Sequence, residues 1–251
     1  MRLIVAPAKK MHVDEERLDA TGKPVHLERA REILAWMRGL DLEGLKALWA
    51  CSDKVAAEGA AHLEALDLDR AATPAVLAYD GIQYKYMAPS VFDEDQVAYV
   101  QEHLRILSGF YGVLRPLDAV GPYRLELDNK ARVAQTHDLY EYWGTVLHDA
   151  VYRGETCVVN LASLEYSKAI RRHLKPGETF VTCVFGELEG QKVVQKGVYA
   201  KMARGEMVRY AADVGARAPE DLVGFDRLGY AFCPQRSKPE ELVFVRGPQQ
   251  R

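Results

Sequence analysis

The sequence lacks the signatures of the commonest enzyme classes. Gly22-Lys23 is followed by Pro24 and has no upstream loop, so no phosphate-binding Gly-x-x-x-x-Gly-Lys-[Ser/Thr] exists. No Gly-x-Gly-x-x-Gly follows a strand-like run, which removes a Rossmann dinucleotide site, and no Gly-x-Ser-x-Gly elbow occurs. Tyr166 and Lys168 stand two apart, the wrong spacing for a helical Tyr-x-x-x-Lys base. Only four cysteines occur (Cys51, Cys157, Cys183 and Cys233), none in a Cys-x-x-Cys pair, and the seven histidines have no ligand spacing. Zinc, a thioredoxin-type couple and a clustered iron site are therefore not expected, nor is any other cofactor. No apolar run approaches the ~18 residues of a membrane span, and the four apolar residues before Pro7 are too few for a secretory signal. A soluble, cytoplasmic, monomeric chain with no membrane partner is expected.

What is present points to an ordinary globular core. The 251 residues are 48% hydrophobic and 27% charged, enough apolar material to offset the entropy of ordering. A net charge of -3 excludes a uniformly basic coat protein, but residues 165–210 hold nine Lys and Arg against five Asp and Glu. That local excess argues for an anionic partner. Strands are expected at Leu3–Ala6, Ala75–Tyr79, Thr156–Leu161, Tyr230–Cys233 and Leu242–Val245, with a hairpin from Thr179–Leu188 to Lys192–Tyr199. Helices are expected at His26–Leu40, Leu42–Ala50, Asp53–Leu66 (capped by Ser52), Asp93–Leu107, Leu139–Val151 and Ala200–Val214. These elements do not alternate as clean βαβ units, and no linker divides the chain. The expected fold is α+β, one compact domain over residues 1–251 with a mixed sheet and surrounding helices.

Four motifs carry chemistry. Lys9 and Lys10 follow the first strand and either hold an anion or simply solvate a strand end. From Arg105 through Ser108, Gly109, Gly112, Arg115 and on to Arg124, paired glycines meet basic residues. This is the logic of a helix–hairpin–helix DNA element, or else of a helix C-cap and a tight turn. Asn160 and Ser163 close a buried strand and open a helix bearing Tyr166 and Lys168, which serves either a ligand or the helix cap. Lys201 and Arg204 share one helical face.

Taken together, Pro7-Ala8-Lys9-Lys10, Ser52-Asp53-Lys54, the block from His103 to Glu126, Asp138 to Gly144, Val159 to Ser163 and Tyr199 to Gly205 resemble the YaaA family of bacterial peroxide-stress-resistance proteins. The blocks occur in order over nearly the whole chain. The resemblance implies an α+β domain with a basic cleft, a helix–hairpin–helix-like element over Ser108–Val113, binding of double-stranded DNA, and a role in limiting free-iron damage during peroxide stress. The cleft would draw on Lys9, Lys10, Lys54, Arg105, Arg115, Arg124, Lys168, Lys201 and Arg204. Where many members carry Gly-Asp-Val-Tyr-x-Gly, this chain has Gly81-Ile82-Gln83-Tyr84-Lys85-Tyr86, placing Ile82 and Tyr86 at the Asp and second Gly.

Two functional expectations follow. The first is a non-enzymatic protein that binds duplex or distorted DNA by neutralising phosphates, with little base readout. The second is an enzyme acting on a small anionic or nucleotide-like substrate in a pocket around Tyr84, Asn160, Ser163 and Tyr166, with Lys168 beside it. An open basic groove favours the first, and a ligand-sized pocket the second.

Overall fold

In the computed structural model, which describes residues 1–247, the opening apolar run becomes strand β1 (Arg2–Val5), with Leu3, Ile4 and Val5 wholly buried. A strand covered on both faces has no need of polar alternation. A short β2 (Lys10–Met11) follows the Pro7-Ala8 turn. Helices α1 (Leu27–Arg38), α2 (Leu42–Trp49) and α3 (Asp53–Ala65) come next. Asp41 caps α2 by accepting the Gly44 amide at 2.8 Å. Ser52 holds the N-cap position of α3 in extended conformation, but its hydroxyl makes no cap bond. α2 and α3 pack as a two-helix hairpin that turns through Ala50 in the left-handed region, φ 45°.

Next come β3 (Thr73–Pro74), α4 (Ala75–Ala78), β4 (Tyr79–Asp80) and α5 (Ile82–Met87). Ala75–Ala78 is therefore one helical turn rather than the expected strand, and Tyr79 alone of that run is extended, opening β4. The amides of Ala75 and Val76 donate to the carbonyls of Asp118 and Pro116, both at 2.9 Å, just beyond the β3 pairing. α6 (Glu94–His103) opens with a capping box between Asp93 and Gln96. It stops at His103 instead of running to Leu107, because Leu104–Ser108 forms β5, parallel to β1, with Leu3 opposite Leu104 and Val5 opposite Ile106. β6 (Gly112–Leu114) turns back antiparallel on β5.

Ser108–Val113 is therefore the tip of a β-hairpin, and the expected helix–hairpin–helix element is not there. Both of its glycines are buried. A Cβ on Gly109 would lie 2.9 Å from the backbone of Leu125 and Glu126. Gly112 has φ 81°, and its face meets the Trp143 ring, 2.8 Å from where a Cβ would be. The glycines serve internal packing, not approach to a phosphate.

β7 (Ala119–Val120) pairs with β3, and then α7 (Leu139–Trp143) and α8 (Val146–Val151) replace the single helix expected. They separate at Gly144, φ 49°. The remainder is β8 (Cys157–Asn160), α9 (Leu164–Arg171), β9 (Thr179–Glu189), β10 (Lys192–Val194), α10 (Gly197–Asp213), β11 (Tyr230–Phe232) and β12 (Glu241–Arg246). The expected hairpin forms as β9–β10, shortened because α10 begins at Gly197.

The main sheet runs β11-β12-β9-β8-β1-β5-β6, with β10 on β9. The five strands from β12 to β5 are mutually parallel, and β11, β10 and β6 are antiparallel additions. With helices packed around this mixed sheet, the α+β class is as expected. No helix among the described residues is long and apolar enough to cross a membrane. β1 lies between β8 and β5, so chain leaving the sheet passes to opposite sides of it. In parallel sheets the crevice beyond the carboxyl ends of such strands is where ligands sit.

Away from that crevice, the wholly buried His148 ring lies 3.0 Å from Asp149 and 2.7 Å from Glu178. Asp149 also accepts Lys175 at 2.7 Å, and that bond, then the one from His148, pulls its carboxyl down to about 2 from an ordinary 3.8. The resulting stabilisation is present above pH 3.8 and is lost as pH falls toward 2. Half-exposure of Asp149 limits it to less than about 1 kcal/mol. Urea titrations at pH 5 and pH 3 should show a smaller acid-induced loss in Asp149→Asn than in the wild type.

Candidate functional site

Four segments meet beyond the carboxyl ends of β1 and β8: the turn Ala6–Lys10, the Leu161–Ser163 junction into α9, α5, and one face of α10. They enclose a cavity of about 400 Å³. Its cations are Lys9, Lys10, Lys201 and Arg204; its acids are Asp80, Glu126 and Glu165; Tyr84, Ser163 and Tyr166 complete the polar lining. A second cavity of about 260 Å³ shares Lys9, Lys10 and Asp80 with the first, and continues past Arg124 to Glu58 and His62 of α3. The two form one cleft running from α10 to α3.

Close backbone contacts set this geometry. A Cβ on Gly205 would fall 2.1 Å from the Gln83 carbonyl oxygen, so α10 and α5 touch where only hydrogen fits. Tyr84 donates its hydroxyl to the Ala6 carbonyl at 3.0 Å, joining α5 to the turn after β1. Its ring lies 5.2 Å from that of Tyr79. The hydroxyls of Tyr79 and Tyr123 are 3.0 Å apart, and Tyr123 reaches Ser108 at 2.7 Å. Ser108 also accepts the amides of Phe110 and Tyr111, so the β5–β6 tip anchors the strand of chain that presents Arg124 and Glu126.

The charges do not cancel. Lys9 pairs with Glu126 at 2.7 Å, and Asp80 pairs with Lys85 at 3.3 Å. Lys10, Arg124, Lys201 and Arg204 form no ion pair among the described residues. Arg204 Nε is buried there without a hydrogen-bond partner, and the buried Tyr166 hydroxyl lies by the Leu127 amide but donates to no acceptor. Burial lowers the Arg204 pKa, the expected sign for a cation removed from water without an anion. Burial raises Tyr84 and Tyr166 well above the usual phenol range, so both are neutral donors. Glu165 is also raised, first by burial and then by its acidic neighbours Glu126 and Asp128, although the Asp128 amide donates to it at 3.2 Å. Among the described residues no group of three His, Cys, Asp or Glu is arranged to hold a metal ion.

Lys9, Lys10, Arg124, Lys201 and Arg204 from the expected cleft set thus share one cleft, as do Tyr84, Ser163 and Tyr166 from the expected pocket set. Lys54 stands exposed on α3, 4.0 Å from Glu58 at the far end. Three cations lie elsewhere. Arg105 donates to the carbonyls of Gln101, Glu102 and Leu104, near Arg2 and Arg115, at the opposite end of the parallel strands. Burial and those two neighbours lower it to about 10. Arg115 faces the buried Asp118, 3.7 Å away. Lys168 turns to Asp128 at 2.9 Å and lies over the Tyr140 ring.

Asn160 shapes the junction: its side-chain carbonyl accepts the Ala162 amide at 2.9 Å. Gly109 and Gly112 belong to the hairpin core. Asp80, Glu126 and Glu165 join the lining without having been singled out from sequence, and Gln83 of the loop that departs from the family pattern lines it too. Acids beside lysines suggest only solvated surface until the fold brings them into a common cavity.

The sequence matches the family model described as peroxide stress protein YaaA over residues 1–236. It is 48% identical over 246 residues to a UPF0246 protein of Agathobacter rectalis, covering 98% of this chain and 99% of that one. A UPF0246 protein of Pediococcus pentosaceus is also 48% identical over 246 residues, with 98% of each chain covered. One from Lactiplantibacillus plantarum is 41% identical over 245 residues, 98% of this chain and 99% of its own. Full-length matches at such identity leave one assignment: the chain belongs to the YaaA family of peroxide stress proteins and has a role in peroxide stress.

Proposed function

We propose that the protein serves the peroxide stress response by binding DNA, distorted duplex in preference to regular, along the cleft between α10 and α3. The observation that carries this reading is the continuity of the two cavities through Lys9 and Lys10, with four cations lacking acid partners along them. Phosphate oxygens are the ligands such a row of cations fits, and mobile counterions released on contact drive the association. Covering distorted sites would also keep iron-generated radicals from the exposed bases, which is how DNA binding would limit free-iron damage. Fluorescence anisotropy with a labelled duplex and a bubble duplex, from about 50 to about 300 mM salt, should give a log–log slope of about -4 for four to five neutralised phosphates. Absence of binding at the lowest salt would remove the reading.

A second reading is favoured by one feature, the ligand-sized 400 Å³ chamber in which Arg204 Nε has no partner and the Tyr166 O–H has no acceptor. In that case the ligand is a free anionic or nucleotide-like substrate, with Tyr84 or Tyr166 as proton donor and Lys9 or Lys201 holding its charge. Isothermal titration with deoxynucleoside monophosphates separates the two readings: micromolar binding of the free nucleotide together with no DNA binding would select the enzyme.

A further inference from the structure

Leu164 is the first residue of α9 and is 78% exposed, the most exposed large apolar side chain among the described residues. Its neighbours on both sides, Ser163 and Glu165, line the 400 Å³ chamber, as does Tyr166 one residue further. A bare leucine therefore stands between two lining residues of a chamber that Lys9, Lys10 and Lys201 also line. Inside, the Tyr166 hydroxyl, on a residue 2% exposed, lies by the Leu127 amide but donates to no acceptor among the described residues, and Arg204 Nε has no partner there either. Buried polar groups without partners are rare in folded proteins and mark places where a ligand completes the hydrogen bonding.

Proteins that open a base step use an apolar side chain to hold the gap, and those that extrude a nucleotide receive it in a closely lined pocket. We infer that the chamber receives one nucleotide everted from distorted DNA while Leu164 occupies the vacated place in the base stack. This rests on the DNA reading above and adds to it where the displaced nucleotide goes. Lys9, Lys10 and Lys201 hold the phosphates that flank it. Tyr166 donates to an acceptor on the base or sugar, and Glu165 accepts from a base N–H. Bubble and mismatched duplexes are preferred because their unpaired bases cost least to unstack.

The test uses a bubble duplex carrying 2-aminopurine at its centre, a probe whose fluorescence rises when it leaves the stack. Saturating wild-type protein should raise that signal about threefold or more. Leu164→Ala and Tyr166→Phe should each cut the rise to less than about half, and should lower the preference for bubble over paired duplex about tenfold. Tyr166→Phe removes a hydroxyl whose O–H donates to nothing among the described residues and whose backbone neighbour is the Leu127 amide, so an unchanged melting temperature will show that its effect is not misfolding. DNA binding with a slope of about -4 but no fluorescence rise overturns eversion and leaves the cleft reading standing. A full rise in Leu164→Ala overturns the wedge, and no binding to either duplex overturns both.

Discussion

Gly205→Ala is expected to destabilise the protein by about 3 kcal/mol, the scale of a severe core overpacking. The added methyl would stand 2.1 Å from the Gln83 carbonyl oxygen and 2.8 Å from the Met87 nitrogen, both backbone atoms of α5 that no rotamer change can move. Relief requires α5 and α10 to separate, and these two helices carry Gln83, Tyr84, Lys201 and Arg204 into the chamber. Urea unfolding should therefore show the large loss, and the Tyr84 to Ala6 hydrogen bond should weaken with it. Gly197→Ala is the control: it lies on the same helix with nothing within 4 Å of the new methyl, and should be neutral or slightly stabilising.

The second large effect is electrostatic. On the DNA reading proposed above, the double reversal Lys10→Glu with Lys201→Glu should weaken DNA binding about 100-fold near 0.1 M salt, since each change would remove a phosphate contact and add a repulsion. Because counterion release scales with contacts made, the log–log salt slope should shrink by about 2. Lys168→Glu tests position against mere charge: Lys168 faces Asp128 and the Tyr140 ring rather than the cleft, so the effect should stay within about threefold. Equal losses from Lys168 and Lys201 would mean that DNA responds to overall charge and not to the cleft.

The sequence was informative wherever local chemistry was enough. Buried strand segments such as Leu3–Val5 and Val158–Val159 are apolar on both faces whatever surrounds them, and α1, α3 and α10 carry helical periodicity along their own length. The lysines after β1 and on α10 were also legible, because a cation at an element's end declares itself in one dimension. The blocks that carry the family resemblance needed no fold at all.

Other outcomes depended on partners distant in the chain. Leu104–Leu107 continues the apolar spacing of α6, yet it becomes β5 because β1, a hundred residues away, supplies its backbone hydrogen bonds. Gly109 and Gly112 look like an approach to phosphate, and only the packing of Trp143 and the chain around Leu125 reveals them as core. Arg105, Arg115 and Lys168 match the cleft cations in charge, but their carbonyl or carboxylate partners lie away from it. Conversely, Glu126 and Glu165 were silent until the fold brought both of them near Lys9. Periodicity and charge belong to single residues and can be read along a line; a site is a coincidence of several segments, and the long-range pairing of β1 with β5 and β8 is what creates it.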